Sequence, residues 1–196
     1  MSNKKRRHYY GWLPIYRKIE HTEKTIESLY RAQYHAYEKP KMIIWMGFAL
    51  ALIFVAAFSP FPSWAKAFIL LIGAWLVVSP DFPALVRADR VVEARHGSLP
   101  KMEYEFHKDQ MKISGEGSMS ISYKKIVRLT EDKFYLYIIM SKDSICMIDK
   151  NTVRPDNVTE LKEFLAYKTN LYWQNEKSFL MMNLADVILI FRNRKN

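Results

Sequence analysis

The stretch Met42-Ile-Ile-Trp-Met-Gly-Phe-Ala-Leu-Ala-Leu-Ile-Phe-Val-Ala-Ala-Phe58, followed after Ser59–Lys66 by a second apolar run, Ala67–Pro80, decides how this chain is read. Neither run carries a charge, and neither shows the polar face that a helix on the surface of a soluble domain keeps. A membrane-crossing helix needs about 20 predominantly apolar residues. Met42–Phe58 approaches that length. Ala67–Pro80 reaches it only if counted from Trp64, with Lys66 snorkelling towards the headgroups. Pro60 and Pro62 enforce a turn between the runs, so the expectation is a two-helix transmembrane hairpin over residues 42–86. Trp45 at one end and Phe58, Phe61 and Trp64 at the other supply interfacial aromatic residues.

The formal charge of +10 over 196 residues is unevenly placed. Lys4, Lys5, Arg6 and Arg7 open the chain, Lys39 and Lys41 abut the first run, Arg87 and Arg90 follow the second, and Lys66 stands alone between them. Lysine and arginine gather on the cytoplasmic side of spans, which predicts a multi-pass protein of the cell membrane with both termini cytoplasmic. The same eight residues, Lys4, Lys5, Arg6, Arg7, Lys39, Lys41, Arg87 and Arg90, are candidate contacts for anionic membrane lipids. Nucleic acid is the other partner a basic chain suggests, and membrane attachment accounts for the charge without it. No cleavable signal peptide is expected, because a long polar stretch separates the basic start from the first apolar run.

Outside the hairpin, residues 1–21 read as an irregular basic, aromatic-rich tail. Thr22 or Thr25 caps a helix through Tyr37 whose apolar stripe is rich in tyrosine, so residues 1–41 form a tail and a juxtamembrane helix. Arg87–Pro100 is a charged connector, helical up to a stop at His96-Gly97. From Lys101 the period changes to alternation: Met102, Tyr104 and Phe106 share one strand face. Met111–Ser114, Ser118–Tyr123, Lys125–Thr130, Phe134–Met140 and Ser144–Ile148 follow as short strands with turns between them. An amphipathic helix over Thr159–Tyr167 buries Leu161, Phe164 and Leu165. The class is α+β, with a small antiparallel sheet domain over residues 101–169 closed by a C-terminal helix. Residues 170–196 form an apolar and basic extension, expected to dock on the membrane or the hairpin.

Little in the chain suggests catalysis. His8, His21, His35, His96 and His107 have no metal-type spacing, and HExxH, GxxxxGK[ST] and GxSxG are absent from the sequence. Neither a cofactor nor a metal is expected. Cys146, the single cysteine, alternates with apolar neighbours as a core residue does. Ser114, Ser118, Ser120 and Ser122 read as a solvated strand face. Lys108, Lys112, Lys124 and Lys125 form a basic set at turns and strand ends. Asp81, in Ser79-Pro80-Asp81-Phe82-Pro83, is either an intramembrane polar site or a carboxylate in wet headgroups beyond the helix end. Gly47 and Gly73 are candidate points of close helix approach.

The stretches Phe106–Ile113, Ile121-Ser122-Tyr123-Lys124-Lys125-Ile126, Phe134–Ile138 and Ile148–Val153, set after a polar helix and two close spans, resemble the bacterial YcxB-like membrane proteins. The likeness covers roughly Thr22–Tyr167. Tyr123–Ile126 fits the family's tyrosine-lysine-x-isoleucine stretch, and Ile148-Asp149-Lys150 fits an isoleucine-proline-lysine stretch in which Asp149 replaces proline. The resemblance implies a pleckstrin-homology-like (PH-like) barrel or sandwich at the membrane, and no catalytic chemistry. The expected role is a membrane-anchored, non-catalytic interaction or scaffold protein that binds membrane lipids and a protein partner, a second copy of the chain included. The alternative is an accessory subunit of a transport or channel complex.

Overall fold

The computed structural model describes residues 15–152 and 155–175. Its elements run β1 (Ile15–Glu20), α1 (Glu23–Tyr37), α2 (Lys39–Phe58), α3 (Ser63–Val78), α4 (Phe82–Ala94), β2 (Lys101–Phe106), β3 (Gln110–Ser114), β4 (Ser118–Ser122), β5 (Arg128–Glu131), β6 (Tyr135–Ser141), β7 (Ser144–Asp149), α5 (Pro155–Thr169) and β8 (Trp173–Asn175).

The helices begin and end where local chemistry dictates. Thr22 caps α1: its hydroxyl accepts from the Thr25 N–H, and the Thr25 hydroxyl accepts from the Thr22 N–H at 2.7 Å. This reciprocal pair satisfies two otherwise orphaned donors. Pro40 stands in the first turn of α2, where its missing N–H costs nothing. α2 has 20 residues, about 30 Å of helix, and is long and apolar enough to cross a membrane. It packs antiparallel on α3 through small residues. A Cβ placed on Gly73 would lie 2.8 Å from Ile53 Cγ1 and 3.3 Å from the Ala49 carbonyl oxygen, so this glycine permits the close approach. Gly47, the other candidate, faces open space. α3 ends at Val78, and the chain bends by 71° into α4. At the far end of α4, Gly97 takes a positive φ of 76°, the left-handed conformation that glycine adopts without a side-chain penalty.

The β domain consists of two four-stranded sheets, ordered β1-β2-β3-β4 and β7-β6-β5-β8. The first is antiparallel throughout, with Ile15 opposite Phe106 and Glu20 opposite Lys101. The second is mixed, because β8 runs parallel to β5. Side chains from both sheets, among them Phe106, Met111, Leu129, Tyr137 and Ile138, meet Leu161, Phe164 and Leu165 of α5 and Ala32 of α1 in one core. Cys146 lies in it, and burial pushes its thiol up to about 12.

Three expectations need correction. Residues 15–20 are not irregular: Ile15, Arg17 and Ile19 alternate with more exposed neighbours, and they form the strand that pairs with β2. The sheet domain therefore draws on chain from both sides of the apolar hairpin. The domain is not a closed barrel among the described residues, because β1 and β7 end their sheets without pairing with each other. Of the C-terminal extension, Trp173–Asn175 joins the second sheet, held by the Trp173 indole N–H donating to the Lys162 carbonyl at 2.9 Å. The apolar run Phe179–Phe191 and the basic residues Lys4, Lys5, Arg6 and Arg7 lie outside the described residues.

The two hairpin glycines should differ sharply on substitution. Gly73→Val is expected to destabilise the α2–α3 pair by about 1–3 kcal/mol, and Gly47→Val to leave it nearly unchanged, as read by thermal unfolding of the purified chain in detergent micelles.

Candidate functional site at the base of the apolar hairpin

One face of α1 carries Arg31, Tyr34, His35 and, at its C-terminal cap, Glu38, spaced so that the side chains stack along the helix. This face meets the two places where chain enters and leaves the apolar hairpin. Glu38 is both the C-cap of α1 and the N-cap of α2. Its side chain is only 4% exposed. The Arg87 guanidinium of α4 forks onto it, Nη1 to Oε1 at 2.7 Å and Nη2 to Oε2 at 3.0 Å. Lys41 Nζ donates to Oε2 at 2.9 Å, and Lys142 Nζ, from the β6–β7 turn, stands 3.4 Å from Oε1. A buried carboxylate is costly unless paired and hydrogen-bonded, and here three cations converge on one. The Arg87 fork, with Lys41 and Lys142 behind it, outweighs burial and holds the Glu38 carboxyl down at about 2.

Asp81 forms the second half of the joint. It lies in the bend between α3 and α4 and is 7% exposed. His35 Nε2 is 2.6 Å from its Oδ1, and Arg31 Nε is 3.9 Å from its Oδ2. Asp81 is thus neither a bare carboxylate among apolar helices nor a headgroup-solvated one, because α1 covers it. The β domain reaches the same place. The Gln33 amide donates to the Lys142 carbonyl at 2.6 Å. Arg128 Nη1 donates to the Ala36 carbonyl at 2.9 Å, with its guanidinium over the Tyr37 ring. Three elements (α2, α4 and β5), the α3–α4 bend and the β6–β7 turn are therefore pinned within about two helical turns of α1.

The expected lipid-contact residues are divided by this geometry. Lys41 and Arg87 are engaged by Glu38, while Lys39 and Arg90 are exposed. The expected basic set of the β domain is divided too. Lys112 stands 4.0 Å from Glu105 on the outer face of the first sheet, whereas Lys124 and Lys125 form an exposed turn after β4. Glu38, His35 and Lys142 are the members that sequence reasoning missed. The signal available was an isolated acid at the mouth of an apolar run, flanked by Lys39 and Lys41, at helical spacing from Arg31 and His35.

Chemically the joint is a set of mutually compensated charges. Among the described residues it contains no nucleophile beside a base, and no group of three or more His, Cys, Asp or Glu side chains is placed to hold a metal ion. A separate groove of about 440 Å³ opens between β1 and the end of β7, lined by Tyr16, Arg17, Ile19, Asp149 and Thr152 among others.

The fold and this joint define a class: an α+β protein whose apolar helical hairpin is inserted between two paired strands and clamped to the sheets by buried ion pairs. Residues 106–165 match the family model described as YcxB-like protein. The match covers β3 to β7 and most of α5, with the end of β2. Comparison with curated proteins and with solved structures gives no match.

Removing the charge from Glu38 tests the joint. The Glu38 carboxyl lies below its ordinary value, so its contribution is complete above the usual carboxylate range and is lost as pH falls towards about 2. Glu38→Gln is expected to lower stability by about 1–3 kcal/mol at neutral pH. The difference between variant and parent should shrink as the solution is acidified from the usual carboxylate range towards about pH 2 and vanish below it, followed by chemical denaturation at a series of pH values.

Proposed function

We propose that this protein is a membrane-anchored, non-catalytic scaffold: the α2–α3 hairpin is embedded in the bilayer, and a PH-like sheet domain is held at its cytoplasmic face to receive a partner. The observation that carries the reading is the pairing of β1 with β2. The two strands flank the hairpin in sequence and are hydrogen-bonded to each other. Both must then lie on one side of any membrane, and the chain between them crosses an even number of times. A crossing by α2 therefore requires a return by α3.

Further support comes from the surface of the helices. Only 17% of the most apolar window of α2 is buried, and Ile43, Ile44, Phe48, Phe54, Phe68 and Leu71 are exposed. A core helix of a soluble domain buries such residues, and a contiguous apolar patch of this size marks a membrane or a partner. Lys39, Lys41, Arg87 and Arg90 stand at the base of the hairpin against a single Lys66 at its tip, the asymmetry expected of a cytoplasmic base.

The partner-binding feature is the open seam. Among the described residues β1 is an edge strand, and beside it lies the groove that reaches Asp149 and Thr152. An extended peptide can add to such an edge, with adjacent pockets supplying specificity. A transport subunit would call on Asp81 as an intramembrane polar site, and the engagement of that carboxylate by His35 favours the scaffold.

Cross-linking in native membranes, followed by identification of what co-purifies, tests the assignment. Capture of a specific protein by the full chain should be lost with Arg17→Glu in the groove and kept with Phe48→Ala on the hairpin. Capture that depends on the hairpin face and ignores the groove would sink the scaffold reading in favour of a transmembrane subunit.

A further inference from the structure

We infer that the turn Tyr123–Val127, between β4 and β5, is a second membrane contact: a docking surface for anionic bilayer lipid that presses this end of the sheet domain onto the membrane in which the hairpin sits. The inference rests on the anchored reading above and goes beyond it, since the anchor alone fixes no face of the domain against lipid.

Three observations converge. The first is position. Arg128, next in the chain, donates to the Ala36 carbonyl, three residues before α2 begins at Lys39. On the neighbouring β6–β7 turn, Lys142 pairs with Glu38. This end of the second sheet therefore lies within reach of two side chains from the start of the apolar helix.

The second is charge. Lys124 and Lys125 are exposed, and no ion pair engages either of them among the described residues. Residues 117–130 contain no acid. Elsewhere in the β domain Lys18, Lys101, Lys112, Lys150 and Lys162 are each paired with a glutamate, while the exposed Lys133 lies over the Phe134 ring in the β5–β6 turn, at the other end of the second sheet. Cations left uncompensated beside an apolar helix suit the negative surface of a cytoplasmic leaflet.

The third is an apolar tip. Val127 is 56% exposed, although its own N–H is fixed to the Ile139 carbonyl at 2.9 Å and its neighbours Ile126 and Leu129 are buried. A rigid backbone thus holds a valine out between Lys125 and Arg128, the combination of apolar insertion and flanking cations that interfacial binding uses. A soluble polyanion such as nucleic acid would use the lysines and gain nothing from the valine, which favours lipid.

The test uses the full chain bearing Val127→Cys, labelled with an environment-sensitive fluorophore while the buried Cys146 stays unreacted. The protein is reconstituted into vesicles of phosphatidylcholine alone or with added phosphatidylglycerol. Quenching by spin-labelled lipid should be strong only with phosphatidylglycerol and should fall at high salt. Each Lys→Glu change at Lys124 or Lys125 should cut the docked-to-undocked ratio by at least about five-fold. Equal quenching in both lipids, or none in either, overturns the proposal. A second label at Phe48→Cys reports the hairpin itself. If acyl-chain quenchers fail to reach residue 48, the anchored reading falls. If they reach residue 48 and residue 127 stays unquenched, only the docking surface falls.

Discussion

The arrangement of this protein depends on one buried carboxylate. Glu38 is the single residue between α1 and α2, and the cations it gathers come from α2, from α4 and from the β6–β7 turn. A charge removed from water is costly, and only good geometry recovers the cost. Here the bidentate Arg87 fork supplies that geometry, so the angle at which the hairpin leaves the sheets is specified by direction-dependent hydrogen bonds. Apolar packing alone would leave that angle loosely defined, because apolar contact is non-directional. Asp81 does the same for the returning chain, tying the bend after α3 to His35.

With the joint fixed, the remaining parts show two opposite patterns of burial. α2 and α3 contact each other through Ala49, Ala56 and Gly73 and turn large apolar side chains outward. The sheets do the reverse, enclosing Phe106, Tyr137 and Ile138 and showing a lattice of cross-strand pairs such as Lys18–Glu103 and Lys101–Glu20 outside. α1 stands between the two regimes. It gives Ala32 and part of Leu29 to the sheet core and its polar face to the hairpin base. Because α1 and α4 join the sheets to the hairpin without a long flexible linker, the sheet domain keeps one orientation relative to the hairpin, unlike a module on a glycine-rich tether.

Most elements were legible where a period was unbroken. The α1 cap at Thr22 or Thr25, the strands over Met111–Ser114 and Phe134–Met140, and the Leu161–Phe164–Leu165 face of α5 all follow from local pattern. β1 escaped because its alternation is carried by arginine and lysine around only two isoleucines, and because its partner lies beyond the whole hairpin, out of reach of local reasoning. β8 escaped for a similar reason: three residues pair in parallel with a distant strand, and a tryptophan hydrogen bond is what holds them. The joint was half legible. Asp81 and Arg87 stood out individually, but nothing local says that residue 38 meets residue 87 or that residue 35 meets residue 81.

The insertion of the hairpin between β1 and β2 bears on how the protein is made. β1 leaves the ribosome early and stays without its partner until residues 101–106 have been synthesised. Closing so long a loop carries an entropic cost that grows with its length. Pairing of α2 with α3 and of Glu38 with Arg87 brings the two ends of that loop together and so lowers the cost of joining the strands. A chain whose hairpin fails to pair leaves β1 as an exposed edge, open to pairing with another chain.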